Sequence, residues 1–275
     1  MKVNLLCLLA VLLLLSGCSN GPEPTGPCRL TEVSSGENGI WQKITYDAEG
    51  RPSNYLINLP SDVAAEYSVD LLYNEEGRLK EMVLTDLYNG QKDSANYIYN
   101  ASGRVDSVNT YEITPGGIIY PMITFRHTYN AQNQLAAIAW AGMQDGSMQT
   151  LAVMEYFYEG NTLSRYEFYE VGRERQKQIY HLEFDDKKRP AYLGMIPHTN
   201  GYGSRTYLWD FMLPQEHNLT SYRMSFLDPQ SATFTIKNSY TYNAQGYPVT
   251  QQITSSDQQY QYSQLTNYTY NYACE

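Results

Sequence analysis

The residue types that do chemistry are scattered through this chain rather than gathered. The four histidines, His127, His181, His198 and His217, stand far apart, and none has partners at the spacing of a zinc site. His127 and His181 fall in strand-like segments, where a ring packs. No Gly-x-Ser-x-Gly elbow and no phosphate-cradling glycine loop occurs, and Cys28 and Cys274 have no neighbouring base to activate them. Glu183, Asp185 and Asp186 near a turn could hold calcium, although turn carboxylates ordinarily bond the local backbone. The pattern predicts no catalytic residue, no metal and no cofactor. A hydrolase would need carboxylates that the fold itself assembles in a deep pocket.

Two other residue sets could bind rather than react. Residues 141–148 and 196–203 are polar, glycine-bearing stretches of the kind that carry function on a rigid scaffold. Beside or within them Trp140, Tyr202 and Trp209 could offer flat faces to a sugar ring, although ordinary loops with core aromatics are the favoured reading. Arg51, Arg78 and Arg104 could meet anions. Their recurrence after a glycine argues for a ladder in which Arg stacks beside Tyr or pairs with Glu.

The elements that must position these residues announce themselves as a repeat. Tyr46-Asp47-Ala48-Glu49-Gly50-Arg51-Pro52 returns as Tyr73-Asn74-Glu75-Glu76-Gly77-Arg78-Leu79 and as Tyr99-Asn100-Ala101-Ser102-Gly103-Arg104-Val105. Looser copies start at Tyr129, Tyr158 and Phe184, a clean one returns at Tyr242, and a degenerate one is expected at residues 213–219. Such a period dictates a repeat architecture of eight units.

Each unit reads as a β-hairpin. Tyr67, Val69, Leu71 and Tyr73 alternate onto one face, and Asn74 and Gly77 supply a turn with a positive-φ position. In the outgoing strand, apolar residues recur three and five places after the first, as in Leu79, Met82 and Leu84 or Leu135, Ile138 and Trp140. A step of three before a step of two requires a β-bulge after the turn. No stretch of the mature chain carries a helical period with caps. The expected fold is all-β: an antiparallel meander of about eight hairpin repeats forming one large curved or curled sheet, almost without helix.

At the Tyr-Asp/Asn-x-x-Gly-Arg positions the units resemble the tyrosine-aspartate (YD) repeats of the Rhs and teneurin class. With the N-terminal features below, the chain also looks like the tyrosine-rich envelope lipoproteins of Bacteroides-type bacteria. The resemblance covers residues 40–272, with three units matching closely. It implies long hairpin arrays that wrap into curved sheets or shells. No toxin region accompanies the repeats.

The N-terminus predicts location. Lys2 and the apolar residues 5–15 form a signal peptide too short to span a bilayer comfortably. Leu15-Ser16-Gly17-Cys18 resembles a lipoprotein cleavage box, which implies lipid on Cys18. Ser19 in place of Asp implies the outer membrane, with the face left open. The expected division is a signal peptide over 1–17, lipid anchor and tether over 18–39, and a single repeat domain over 40–275. Cys28 and Cys274 then remain as either a disulfide or two free thiols.

A net charge of −10 at pH 7, with no basic cluster, excludes nucleic acid and electrostatic attachment to anionic lipid. The leading expectation is a non-catalytic outer-membrane lipoprotein that binds or scaffolds at the cell envelope, its partners a membrane through lipid and a glycan or an envelope protein. The second is a glycan-binding accessory protein using Trp and Tyr platforms, and the third is the hydrolase.

Overall fold

The computed structural model describes residues 28–35, 39–59, 65–190, 217–226, 234–257 and 262–274. Period-two segments broken by turn residues give the strands β1 (Cys28–Ser35), β2 (Gly39–Tyr46), β3 (Pro52–Leu59), β4 (Ala65–Tyr73), β5 (Leu79–Asp86), β6 (Lys92–Tyr99), β7 (Val105–Ile113) and β8 (Ile119–Tyr129). They continue as β9 (Leu135–Gln144), β10 (Ser147–Glu159), β11 (Thr162–Glu170), β12 (Gln178–Phe184), β13 (Leu219–Phe226), β14 (Phe234–Tyr242), β15 (Pro248–Asp257) and β16 (Tyr262–Cys274). Helix among the described residues is one 3-10 turn, Glu174–Gln176.

Each strand pairs antiparallel with its neighbours in sequence, and β1 pairs with β16, so sixteen strands close into a barrel. This corrects the expectation of one large curved or curled sheet. The physical reason lies at the N-terminus. Residues 28–35, read from sequence as tether, supply the strand that covers the last free edge, and closure removes both edges at once.

The closure is itself a repeat unit cut in two. In ordinary units the anchor tyrosine sits opposite the first outgoing residue: Tyr46 opposite Pro52, Tyr73 opposite Leu79, Tyr99 opposite Val105. At the seam Tyr272 sits opposite Leu30, and a register shift follows between Leu30 and Glu32 as one follows the turns of the motif. Cys28, Arg29 and Leu30 thus occupy the Gly, Arg and apolar places of the motif. The Cys28–Cys274 disulfide stands where the connecting turn would be.

A second rearrangement keeps the unit count at eight. Phe184 pairs with Leu219, not with Pro190, so the copies expected at Phe184 and at residues 213–219 are the two halves of one hairpin. Asp185 N–H donates to Asn218 O at 3.0 Å, matching Asp47 N–H to Arg51 O at 2.9 Å. Asn218 N–H donates to Asp185 Oδ1, as Arg51 N–H does to Asp47 Oδ1. The long insertion leaves from a turn whose base is kept intact.

The two faces of the wall differ sharply. Inward positions come from all around the ring and are closed to water: Leu30 at 2 % exposure, Ile57 at 0 %, Val108 at 0 %, Ile138 at 0 %, Tyr222 at 0 % and Ile236 at 2 %. A round sixteen-stranded ring leaves an aqueous channel. Here the inward side chains of strands all around the ring are sealed from water and belong to one core cluster, so the interior is packed. Outward positions include the exposed Lys43, Asp70, Arg126, Lys237, Gln252, Asn267 and Thr269.

Candidate functional site

Turns that follow the even-numbered strands lie at one end of the barrel with the disulfide, and they interlock. Tyr73 donates its hydroxyl to Pro52 O at 2.7 Å, Tyr99 to Leu79 O at 2.7 Å, Tyr129 to Val105 O at 2.8 Å and Tyr158 to Leu135 O at 3.0 Å. The ring crosses the seam, with Tyr272 bonded to Pro248 O at 2.8 Å and Tyr46 to Leu30 O. Each of these six hairpins is thereby tied to the one before it.

Arginine adds a second tie. The guanidinium of Arg51 lies 4.4 Å from the Tyr73 ring centroid, Arg78 lies 4.6 Å from Tyr99, and Arg104 lies 4.6 Å from Tyr129. The same heads reach Glu49 at 3.2 Å for Arg51 and Glu76 at 3.4 Å for Arg78. These arginines are spent on stacking and pairing, which leaves no anion site among them. Burial pushes the hydroxyls of Tyr73 and Tyr99 above their ordinary range, and the neighbouring arginines pull part of the way back.

The densest charged group lies on the outer wall of β10–β12. Lys177 Nζ meets Glu167 Oε2 at 2.7 Å and Glu155 Oε2 at 3.4 Å, and Arg165 meets Glu167 Oε1 at 3.2 Å. The bond to Glu167, opposed by burial, holds the Lys177 ammonium above its ordinary value. His181 stands between Arg165 and Arg223 across the sheet, and burial followed by those two cations lowers its pKa. Lys177 and Arg165 together balance the charges of Glu155 and Glu167. Among the described residues no group of three or more His, Cys, Asp or Glu is placed to hold a metal.

Glu183 faces outward on β12, while Asp185 is held at the insertion base by Asn218 and by the Tyr242 hydroxyl, which donates to its carboxylate. The Trp140 ring is on the inner face, 5.3 Å from Phe125 and 5.0 Å from Phe168, a packing position rather than an open platform. Tyr202, Trp209 and the loop 196–203 lie outside the described residues, as does Cys18.

Residues 141–148, singled out in the sequence, lie at the far end of the barrel, where the neighbouring β7–β8 hairpin was not expected to join them. There the hairpins β7–β8 and β9–β10 carry exposed apolar residues: Ile118, Ile119, Tyr120, Met122, Met143 and Met148. Met143 is directly opposite Met148, and the pair Ile123–Gly142 sets Met122 beside Met143. Three methionines on adjacent strands thus form one outward row. The readable signal was the unusual density of Ile and Met beside Gly in residues 116–122 and 142–148.

This fold can be compared with known structures. A porin-like protein from Bacteroides uniformis matches with a TM-score of 0.50 at 14 % identity, over 90 % of this chain and 95 % of that one. A porin-like protein from Bacteroides vulgatus matches with a TM-score of 0.41 at 10 % identity, over 89 % and 99 %. The TcdB2-TccC3-TEV structure matches with a TM-score of 0.31 at 14 % identity, over 84 % of this chain and 12 % of that one. No family model and no curated protein matches. The chain is therefore a sixteen-stranded β-barrel similar in fold to the Bacteroides uniformis porin-like protein, and at this identity the likeness extends to fold alone.

Proposed function

We propose that this chain is a non-catalytic lipoprotein of the outer membrane, anchored through Cys18, whose barrel stands in water as a binding or scaffolding module. The observation that carries the reading is the distribution of residues across the wall. A membrane barrel turns an apolar band outward and keeps a polar lumen. Here Lys43, Asp70, Arg126 and Lys237 face outward while Ile57, Val108 and Ile138 are sealed within. Each outward Lys or Arg at a bilayer midplane costs about 2–4 kcal/mol, so a spanning position is opposed many times over. A packed interior supports no conduction, which leaves the surface to do the work.

The porin-like fold is in keeping with an outer-membrane address, and lipid at Cys18 supplies attachment without insertion of the barrel. The bridged Glu155–Lys177–Glu167 group supports a role without catalysis. The test has two arms. Purified chain added to planar bilayers should give no conductance steps, and Cys18→Ser should move the protein from the membrane fraction to the soluble one. Single-channel steps, or a Cys18→Ser protein that stays in the membrane, overturn the reading.

A further inference from the structure

We propose that the tip of the β9–β10 hairpin takes up an extended, apolar segment of another protein as an added strand, with Met122, Met143 and Met148 as its side-chain platform. This deepens the binding-module reading and rests on it.

The backbone carries the first half of the argument. Strand β10 pairs with β9 from Ser147 onward, but with β11 only from Ala152. Among the described residues, Ser147–Thr150 therefore has a strand on one side alone, and all four residues are exposed. Asp145 and Gly146, with φ of 50° and 79°, form a two-residue turn of the primed type. That turn makes Gln144 and Ser147 a hydrogen-bonded pair, and alternation makes Gly142 and Gln149 the next. Met148 and Thr150 consequently direct their N–H and C=O groups to the open side. Natural sheets guard such an edge with Lys or Pro, yet this one reads Ser-Met-Gln-Thr.

Side chains carry the second half. Met122, Met143 and Met148 are 45, 57 and 46 % exposed. Methionine is flexible and polarizable, and it covers adaptable recognition surfaces. An extended segment added to β10 would lay alternate side chains on this row, which is the geometry of strand addition. Charge narrows the choice. Residues 109–125 and 137–151 contain two charges, Glu112 and Asp145, so a neutral or basic segment fits and an acidic one is repelled.

With lipid on Cys18 as proposed above, the tether argues against the anchoring bilayer as occupant. The described chain begins at Cys28, at the opposite end of the barrel. Residues 19–27 reach about 30 Å when fully extended. The 13 residues of β10 alone run about 43 Å along the strand. The tip projects away from the membrane that holds the lipid.

The experiment uses the full chain and a displayed library of linear peptides. Selection should enrich sequences of alternating apolar residues without acids, and a synthetic winner should bind the wild type. Thr150→Pro, which removes one outward N–H from an edge that tolerates proline, should weaken that peptide about tenfold. The double variant Met143→Lys, Met148→Lys should weaken it at least as much and decides the matter if the proline variant misfolds. Circular dichroism and thermal unfolding monitor folding. No enrichment, enrichment of acidic peptides, or equal binding by the variants overturns the proposal. So does sedimentation in which the wild type self-associates and Thr150→Pro does not, since the occupant would then be a second copy. A winner that binds all variants elsewhere leaves the binding-module reading standing without this site.

Discussion

Replacing Gly77 with alanine tests whether the repeat is an interlock between hairpins or a series of independent turns. Gly77 has φ of 75°, and a non-glycine residue in that region costs roughly 1–2 kcal/mol. Its added Cβ would also meet Arg51 Nη1 at 3.3 Å, pressing on the guanidinium that stacks on Tyr73. Displacing that head forfeits about 0.5–1 kcal/mol of cation–π attraction. Gly246 is the matched control, since it fills the same motif place with φ of 83° and has nothing within 4 Å of a built Cβ. Gly246→Ala should therefore cost about 1–2 kcal/mol, and Gly77→Ala about 0.5–1 kcal/mol more. Gly50→Ala, whose Cβ would lie 2.6 Å from Arg29 Nη2, should cost the most of the three. Gly77→Asn should recover the backbone part, because Asn133 holds the equivalent place at φ of 67°. The assay is urea unfolding of the oxidised protein, repeated in an Arg51→Met background to complete a double-mutant cycle. Equal costs at Gly77 and Gly246, or an excess that survives Arg51→Met, would refute the interlock.

Three further outcomes follow from the same geometry. Reducing Cys28–Cys274, which spans a sequence separation of 246, should lower unfolding stability by up to about 5 kcal/mol on the loop-entropy account, read as a drop in the urea midpoint with reductant. An unchanged midpoint would show that the β1–β16 pairing alone holds the seam. Gln42 is fully buried with neither amide atom hydrogen-bonded among the described residues, so Gln42→Met should raise stability by about 1–3 kcal/mol; a loss measured by the same unfolding would count against it. Tyr158 and Tyr180 are pushed up by burial to about 12 from 10.0. Because the folded pKa lies above the unfolded one, their contribution is complete below pH 10 and is lost as pH rises toward 12. Phenolate absorbance should thus rise together with loss of β-sheet signal, and smooth titration of all tyrosines in a folded barrel would contradict that sign.

How much of this was legible follows the range of each interaction. Tyr73, Asn74, Gly77 and Leu79 act within one hairpin, so the turn, its positive φ and the bulge could be read from spacing. The rule of three and five places sets Trp140 in line with Ile138 on the inward face, where the structure has it beside Phe125 and Phe168. Closure was hidden because the eighth unit has no continuous turn. Its incoming anchor, Tyr272, and its outgoing residue, Leu30, stand at opposite ends of the chain, although Arg29 and Val33 keep the motif's places. The merged unit was hidden by Pro190, which imitates the residue that Leu219 supplies. At the far tip, Met122 and Met143 become neighbours only through pairing of β8 with β9, which no local pattern records.

Period-two alternation by itself cannot say which face of a barrel meets water, and the same rhythm serves a pore and a packed shell. The choice is made by what occupies the inward places. Sixteen strands enclose more space than aliphatic side chains fill readily, and rings carry the largest apolar volume per residue. Tyrosine suits the ends of such a core better than phenylalanine, because its hydroxyl can satisfy a carbonyl that would otherwise be unpaired near the rim. Tyr46, Tyr73, Tyr99, Tyr129, Tyr158 and Tyr272 each do this across a hairpin boundary. Twenty-seven Tyr against seven Phe is then the composition of a barrel closed by its core.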